Sequence, residues 1–226
     1  MNDKANLQLM IYDDTDITTR LHLLKNSKEL PAAWEPIDVN VPVGLTHSWF
    51  VGGGLYRGLG RIDTYMGFRV WYRALEWLAT VHPEQKIDHI QYWGHGSPGR
   101  VWMDGEKLTA DSFDGELGPL LRAIRDRLTP DALIWFRTCA SFGAQAGQVF
   151  ARRWAQEMGC RVAGYTHNIG PFQSGLHTLK PEQHATWPLT EGVKDGSPLA
   201  PAKMCSSGPW KTHTINCLRN TFPSAW

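Results

Sequence analysis

The sequence is short of several things at once. No apolar run reaches the eighteen or so residues that a bilayer span needs. The opening Met1-Asn2-Asp3-Lys4 leads into a brief apolar stretch without a small-residue cleavage pattern, which argues against a secretory signal. Only four cysteines occur among 226 residues, at 139, 160, 205 and 217. They form no C-x-x-C pair and are too sparse for a disulfide scaffold. Charge of one sign is lacking too: 23 Lys and Arg stand against 22 Asp and Glu, a formal net charge of +1. That balance argues against a generic polyanion binder, because nucleic-acid affinity rests on concentrated positive charge. There is no internal repeat and no low-complexity block. These absences predict a soluble, reduced, cytoplasmic globular protein of one large domain, with neither membrane nor nucleic acid as partner.

What is present is apolar and aromatic. Eleven Trp and eight Phe, with charged residues at 20%, mark a chain that folds. Residues 7–12 form a short apolar run ending in Asp13-Asp14-Thr15-Asp16, a buried strand entering a polar loop. Residues 25–45, with three prolines, read as irregular, and 47–51 as a second strand ending at Gly52-Gly53-Gly54. From Phe68 the stripe Phe68, Trp71, Leu75, Leu78 predicts a helix. Residues 87–93 then read as a strand, Arg100 to Leu108 as a hairpin turning at Asp104-Gly105, and 117–128 as a second helix. The run 132–136 predicts a central strand covered on both faces, followed by a helix over 146–158 stopped by Gly159 and a strand over 161–165. This alternation predicts an α/β fold with a mostly parallel sheet flanked by helices, a three-layer α/β/α sandwich. Residues 181–226 hold six of the fourteen prolines and no period, and read as an irregular extension packed on a core domain of residues 1–180.

In open parallel sheets, sites gather where loops leave the carboxyl ends of strands. His95 lies two residues past one predicted strand, and Cys139 follows the next, with Arg137-Thr138 between. If those strands are neighbours, imidazole and thiol emerge at one edge. An imidazole can then supply the thiolate or protonate a leaving group. Gly94 and Gly96 allow the backbone to approach a substrate, and the helix start after Cys139 favours negative charge. Taken singly, a strand-end Cys is usually a small buried hydrophobe and a turn His is polar surface. The ordered pair carries the reading.

The segments Ile90-Gln-Tyr-Trp-Gly-His95-Gly96 and Leu133-Ile-Trp-Phe-Arg-Thr-Cys139-Ala-Ser resemble the caspase-like (clan CD) cysteine peptidases. The likeness covers roughly residues 7–165. It also extends, through Gly94-His95-Gly96-Ser97-Pro98-Gly99, to bacterial domains of this fold whose activity is generally uncharacterised. The resemblance implies a caspase-like sheet, Cys139 as nucleophile, His95 as general acid/base, and an oxyanion hole from the N–H groups of Gly96 and Cys139. It implies a thioester acyl-enzyme, a peptide or protein substrate and no cofactor. The end of the first strand lines the specificity pocket in that family, so Asp13 and Asp14 imply preference for a basic residue before the cut. Three departures stand beside this. Ala140-Ser141-Phe142-Gly143 replaces the Arg-Gly that follows the caspase Cys, no self-processing linker is visible, and the tail matches no caspase second half. A catalytically inactive binding domain on the same fold, and a cysteine amidase or transpeptidase, are the competing readings.

Other features read more plainly. Gly52-Gly53-Gly54 with Gly58 and Gly60 lacks the order of a phosphate cradle and predicts a turned loop. His167, His177 and His184 lack helical zinc spacing, so no metal is expected. The stretch from Thr166 to His177 begins at the end of the last strand, where His167, Gln173 and Ser174 could line a substrate cleft.

Overall fold

The computed structural model describes residues 6–17, 19–22, 38–41 and 44–219, with backbone alone at 19–22 and 38–41. The irregular segment expected over 25–45 therefore lies largely outside the described residues. The chain opens with β1 (Leu7–Asp13), the antiparallel pair β2 (Thr19–His22) and β3 (Asp38–Val41), α1 (Leu45–Gly58), β4 (Thr64–Phe68) and α2 (Trp71–Thr80). It continues through β5 (Ile87–Trp93), the small meander β6 (His95–Ser97), β7 (Arg100–Met103) and β8 (Glu106–Thr109), a 3-10 turn at Ala110–Phe113, and α3 (Gly118–Arg125). Next come β9 (Leu128–Arg137), α4 (Ala144–Met158), β10 (Arg161–Tyr165), β11 (Phe172–Gln173) and β12 (Leu176–Leu179). The last elements are β13 (Val193–Gly196), β14 (Pro201–Met204) and β15 (Ile215–Asn216).

Six strands form one sheet in the order β12-β10-β9-β5-β1-β4, parallel throughout except for the antiparallel edge strand β12. The fold is thus mixed α/β, a mostly parallel sheet with four helices. Numbered along the chain, the five parallel strands run 2-1-3-4-5, a doubly wound order whose switch point falls between β1 and β5. Among the described residues no helix is long and apolar enough to cross a membrane.

Alternation along the strands divides the core. Leu7, Leu9 and Ile11 of β1, Ile90 and Tyr92 of β5, and Ile134 and Phe136 of β9 join buried residues of α2, α3 and α4 in the largest apolar cluster. There Trp154 of α4 meets Phe136, Phe113 and Phe150 at centroid distances of 5.0, 4.9 and 5.6 Å. The intervening residues point the other way. Met10 and Tyr12 pack with Tyr56 of α1 and with Trp93, while Leu133, Trp135 and Tyr165 pack with Ile215 of the tail.

Three expectations are corrected. Residues 47–51 are not a strand; they lie inside α1, the crossover helix between β1 and β4. The glycines that suggested a loop are what this helix needs to lie close to aromatic rings. A Cβ on Gly52 would sit 2.7 Å from the Trp93 ring, and one on Gly53 2.6 Å from that of Tyr65. The segment ending in Phe68 is strand β4, so α2 starts only at Trp71. The helix expected over 117–128 also ends early, at Arg125, with Leu128 already in β9, whereas the turn signals hold. Asp104 and Gly105 both take positive φ between β7 and β8, a two-residue hairpin turn, and Gly159 closes α4 in the left-handed conformation.

Candidate active site at the carboxyl edge of the sheet

β5 and β9 are direct neighbours in parallel register, with Trp93 opposite Arg137, so the segments that leave them start side by side. After β5 the chain turns at Gly94, where a Cβ would overlap the Tyr92 hydroxyl. That hydroxyl donates to the Trp102 carbonyl at 2.6 Å and ties the meander β6–β7–β8 to the end of β5. His95 opens the meander. Its ring lies 6.1 Å from Trp102 in a stacked arrangement and 5.4 Å from Trp49 of α1, edge-on. Its Nε2 lies 3.3 Å from Oδ2 of Asp16, with both side chains partly exposed. Asp16 in turn is held through its carbonyl, which accepts from the Thr46 N–H at 3.1 Å. Two indoles and a carboxylate therefore fix the imidazole orientation.

On the neighbouring strand, Cys139 begins a sharp turn. Ala140 has φ +46°, a left-handed backbone that is strained for a residue with a Cβ. The turn is anchored by the Ala140 N–H donating to the His167 carbonyl and the Phe142 N–H to the Tyr165 carbonyl, each at 2.9 Å. Helix α4 begins only at Ala144, so Ala140–Gly143 separates the thiol from the helix start. The half-buried thiol accepts from the Ile169 N–H at 3.4 Å and donates to the Ile169 carbonyl at 3.8 Å. Burial pushes its pKa up, and the Ile169 bond offsets only part of that. This setting disfavours the thiolate.

The two turns touch through their backbones. A Cβ on Gly96 would lie 2.6 Å from Thr138 Oγ1 and 2.7 Å from the Cys139 carbonyl, so only glycine admits this approach. His95, Gly96, Asp16 and Cys139 thus share one edge, although the imidazole bonds to Asp16 and the thiol to Ile169.

Asp13 is fully buried. Its Oδ1 accepts from the Thr15 N–H at 3.0 Å and the Thr15 hydroxyl at 2.6 Å, while its Oδ2 has no hydrogen-bond partner among the described residues. Burial raises its pKa despite those two bonds and the nearby His95. Asp14 is half-buried beside it. Three residues expected to line a cleft are buried and engaged internally. His167 bonds through Nδ1 to the Thr166 hydroxyl at 3.0 Å. Gln173 Oε1 accepts from Tyr165 at 2.6 Å and Arg137 at 3.0 Å. Ser174 Oγ exchanges bonds of 3.1 Å with the Gly208 carbonyl and N–H. A second polar cluster lies behind His167, where Glu191 Oε1 accepts from Thr166 at 2.9 Å and lies 2.8 Å from His177 Nε2. Burial would raise Glu191, but these bonds outweigh it and hold the carboxyl below its usual range. Among the described residues no group of three or more His, Cys, Asp or Glu could hold a metal ion.

Sequence reasoning did not single out Asp16 as the imidazole's partner, nor Trp49, Trp102 and Ile169 around the pair. Asp16 was visible as the last acid of the 13–16 loop. Trp102 comes from β7, paired opposite His95, while Trp49 and Ile169 come from a helix and a loop that no local pattern marks.

Residues 74–181 match a family model described as a domain of unknown function (DUF4347). The matched span carries both His95 and Cys139 and leaves β1 and Asp16 outside it. No curated protein and no solved structure matches the chain.

Proposed function

We propose that the protein is a cysteine-dependent hydrolase, a peptidase on a caspase-like three-layer α/β/α sandwich, acting without cofactor. The single observation that carries the reading is the backbone contact between Gly96 and Thr138–Cys139 at the paired ends of β5 and β9. It brings a fixed imidazole and a thiol to one sheet edge. In this reading Cys139 turns from Ile169 when substrate arrives and gives its proton to His95. The sulfur attacks the scissile carbonyl, forming the carbon–sulfur bond, and His95 returns the proton to the leaving amine as the carbon–nitrogen bond breaks. Water then hydrolyses the thioester and regenerates the thiol. Asp16 stabilises the imidazolium formed between the two transfers. The Cys139 N–H has no backbone partner among the described residues and, with that of Gly96, would receive the oxyanion. Asp16 beside the imidazole, with Asp14 in the same loop after β1, supports a preference for a basic residue before the cut. The soluble, cytoplasmic setting read from the sequence agrees with a reduced thiol.

One observation favours a second reading, a binding domain without catalysis: the thiol is engaged by both the N–H and the carbonyl of Ile169, in a half-buried setting that disfavours the thiolate. Acyloxymethyl ketones bearing Arg, Lys, Asp or Asn separate the two by intact mass. A peptidase is labelled on Cys139 ahead of the other three thiols, fastest by the Arg or Lys probe, and loses that labelling in His95→Ala. Equal labelling of all four thiols, or Cys139 labelling indifferent to His95, overturns the hydrolase. Peptide-library cleavage separates a peptidase from an amidase or transpeptidase.

A further inference from the structure

The chain ends its described course against a buried cation. Arg137 closes β9 and is 3% exposed. Its guanidinium carbon lies 4.6 Å from the Trp93 ring centroid, 4.8 Å from that of Trp135 and 5.5 Å from that of Tyr56. No carboxylate pairs with it among the described residues. Its hydrogen bonds go to neutral oxygens instead. One terminal nitrogen donates to the Tyr56 hydroxyl at 2.7 Å and to Gln91 Oε1 at 3.4 Å. The other donates to Gln173 Oε1 at 3.0 Å and to the Cys217 carbonyl at 2.7 Å. Tyr56 donates to that same carbonyl at 2.8 Å and to the Arg219 carbonyl at 3.3 Å, and Arg61 donates to the Leu218 carbonyl. Three successive carbonyls are thus gathered by two guanidinium groups and a phenol, while the side chains of Leu218 and Arg219 face solvent.

We propose that Arg137, Arg61 and Tyr56 form a binding site for a carboxylate, and that Cys217–Arg219 is its internal occupant, displaced when an acidic peptide binds. A guanidinium–carboxylate pair is charge-assisted, often bidentate, and roughly twice as strong as a bond to a neutral carbonyl. Among the described residues the occupant is also tied by the two-residue pairing of β15 with β11 and by the Cys217 N–H to the Pro171 carbonyl at 2.9 Å. Pro171 and Ile169 belong to one loop, so an arriving carboxylate also loosens the segment that holds the Cys139 thiol. The site itself needs no reactive thiol, and its failure leaves the hydrolase reading untouched.

The test uses the full chain and the tripeptide Gly-Gly-Glu, against Gly-Gly-Gln with an amidated end as the uncharged control. Calorimetric titration measures binding, and hydrogen exchange of a fragment spanning 215–219 reports displacement. The expected result is saturable binding of Gly-Gly-Glu alone, at least tenfold faster exchange at 217–219 in its presence, and at least tenfold weaker binding in Arg61→Gln and in Arg137→Gln. Arg61 lies outside the buried cluster, so Arg61→Gln keeps the test open if Arg137→Gln fails to fold. Absence of saturable binding overturns the proposal. So does binding that leaves exchange at 217–219 unchanged or survives Arg61→Gln. Inorganic phosphate, run in parallel, overturns the carboxylate assignment if it binds and Gly-Gly-Glu does not.

Discussion

On β5, Ile90 and Tyr92 turn toward α2, α3 and α4, while His89, Gln91 and Trp93 turn toward α1 and the tail. On β9, Ile134 and Phe136 go one way and Leu133, Trp135 and Arg137 the other. The first face is stabilised mainly by apolar burial, with rings such as Phe136, Phe150 and Trp154 in mutual contact. The second combines aromatic rings with buried polar groups, each of which must find a partner or raise the cost of folding. Arg137 finds its partners in three ring faces and four oxygens. The first face is built chiefly from the strands and helices of the layered core, with Trp187 added from the tail; the polar partners of the second come from α1, β11 and the end of the described chain.

This contrast can be broken, and the largest effect belongs to the apolar face. Trp154→Ala removes an indole at the centre of the ring cluster and is expected to cost roughly 3–5 kcal/mol in denaturant unfolding. Arg137→Met keeps bulk but removes one of the two donors from Gln173 Oε1 and from the Cys217 carbonyl, leaving Tyr165 and Tyr56, an expected loss of about 2 kcal/mol. If Arg137→Met costs as much as Trp154→Ala, the two faces do not differ as described.

The next effect is a slope rather than a level. Burial, reinforced by Arg137 and Arg161, lowers His89 from 6.5 to about 3. The unfolded chain therefore takes up a proton at this position below pH 6.5, while the folded chain stays neutral until about pH 3. Stability falls as the pH drops through that window. Thermal unfolding between pH 7 and pH 4 should show a midpoint that declines with acid, and His89→Gln should flatten the decline. An unchanged slope in His89→Gln would remove His89 from the account.

The smallest effect on stability is expected at Asp16. Its pair with His95 is partly exposed, so Asp16→Asn should change unfolding by less than about 1 kcal/mol. Labelling of Cys139 by the preferred ketone should nevertheless slow on the order of tenfold, because the imidazolium loses its counter-charge. A variant that labels at the wild-type rate makes the pair incidental.

Much of the sheet was legible because its signals are local. The apolar runs at 7–12, 87–93, 132–136 and 161–165 all lie in strands, and Gly159 and Asp104-Gly105 punctuate as their conformations require. The misreading of α1 has a physical cause. Gly52-Gly53-Gly54 is poor helix chemistry, overridden because bare backbone lets α1 settle against Trp93 and Tyr65. The site was half legible. His95 and Cys139 could be placed from strand ends, but the thiol's bond to Ile169 and the imidazole's bond to Asp16 join segments 30 and 79 positions apart (169 − 139 and 95 − 16). An arginine two residues before the thiol, ending an apolar strand, was the one local sign of the second cluster, and its partners lie at 56, 173 and 217.

The antiparallel edge strand β12 has a consequence for the order in which the molecule can be made. By reversing direction it carries the chain away from the edge that holds Cys139, and the remaining residues must travel back to reach it. The loop around Ile169 is finished by bonds from Cys205, Ser207 and Cys217. During synthesis the sheet and its helices are therefore complete some forty residues before the surroundings of the thiol are. A half-made chain can fold its scaffold while the thiol's setting stays unfinished until the last of these residues clears the ribosome.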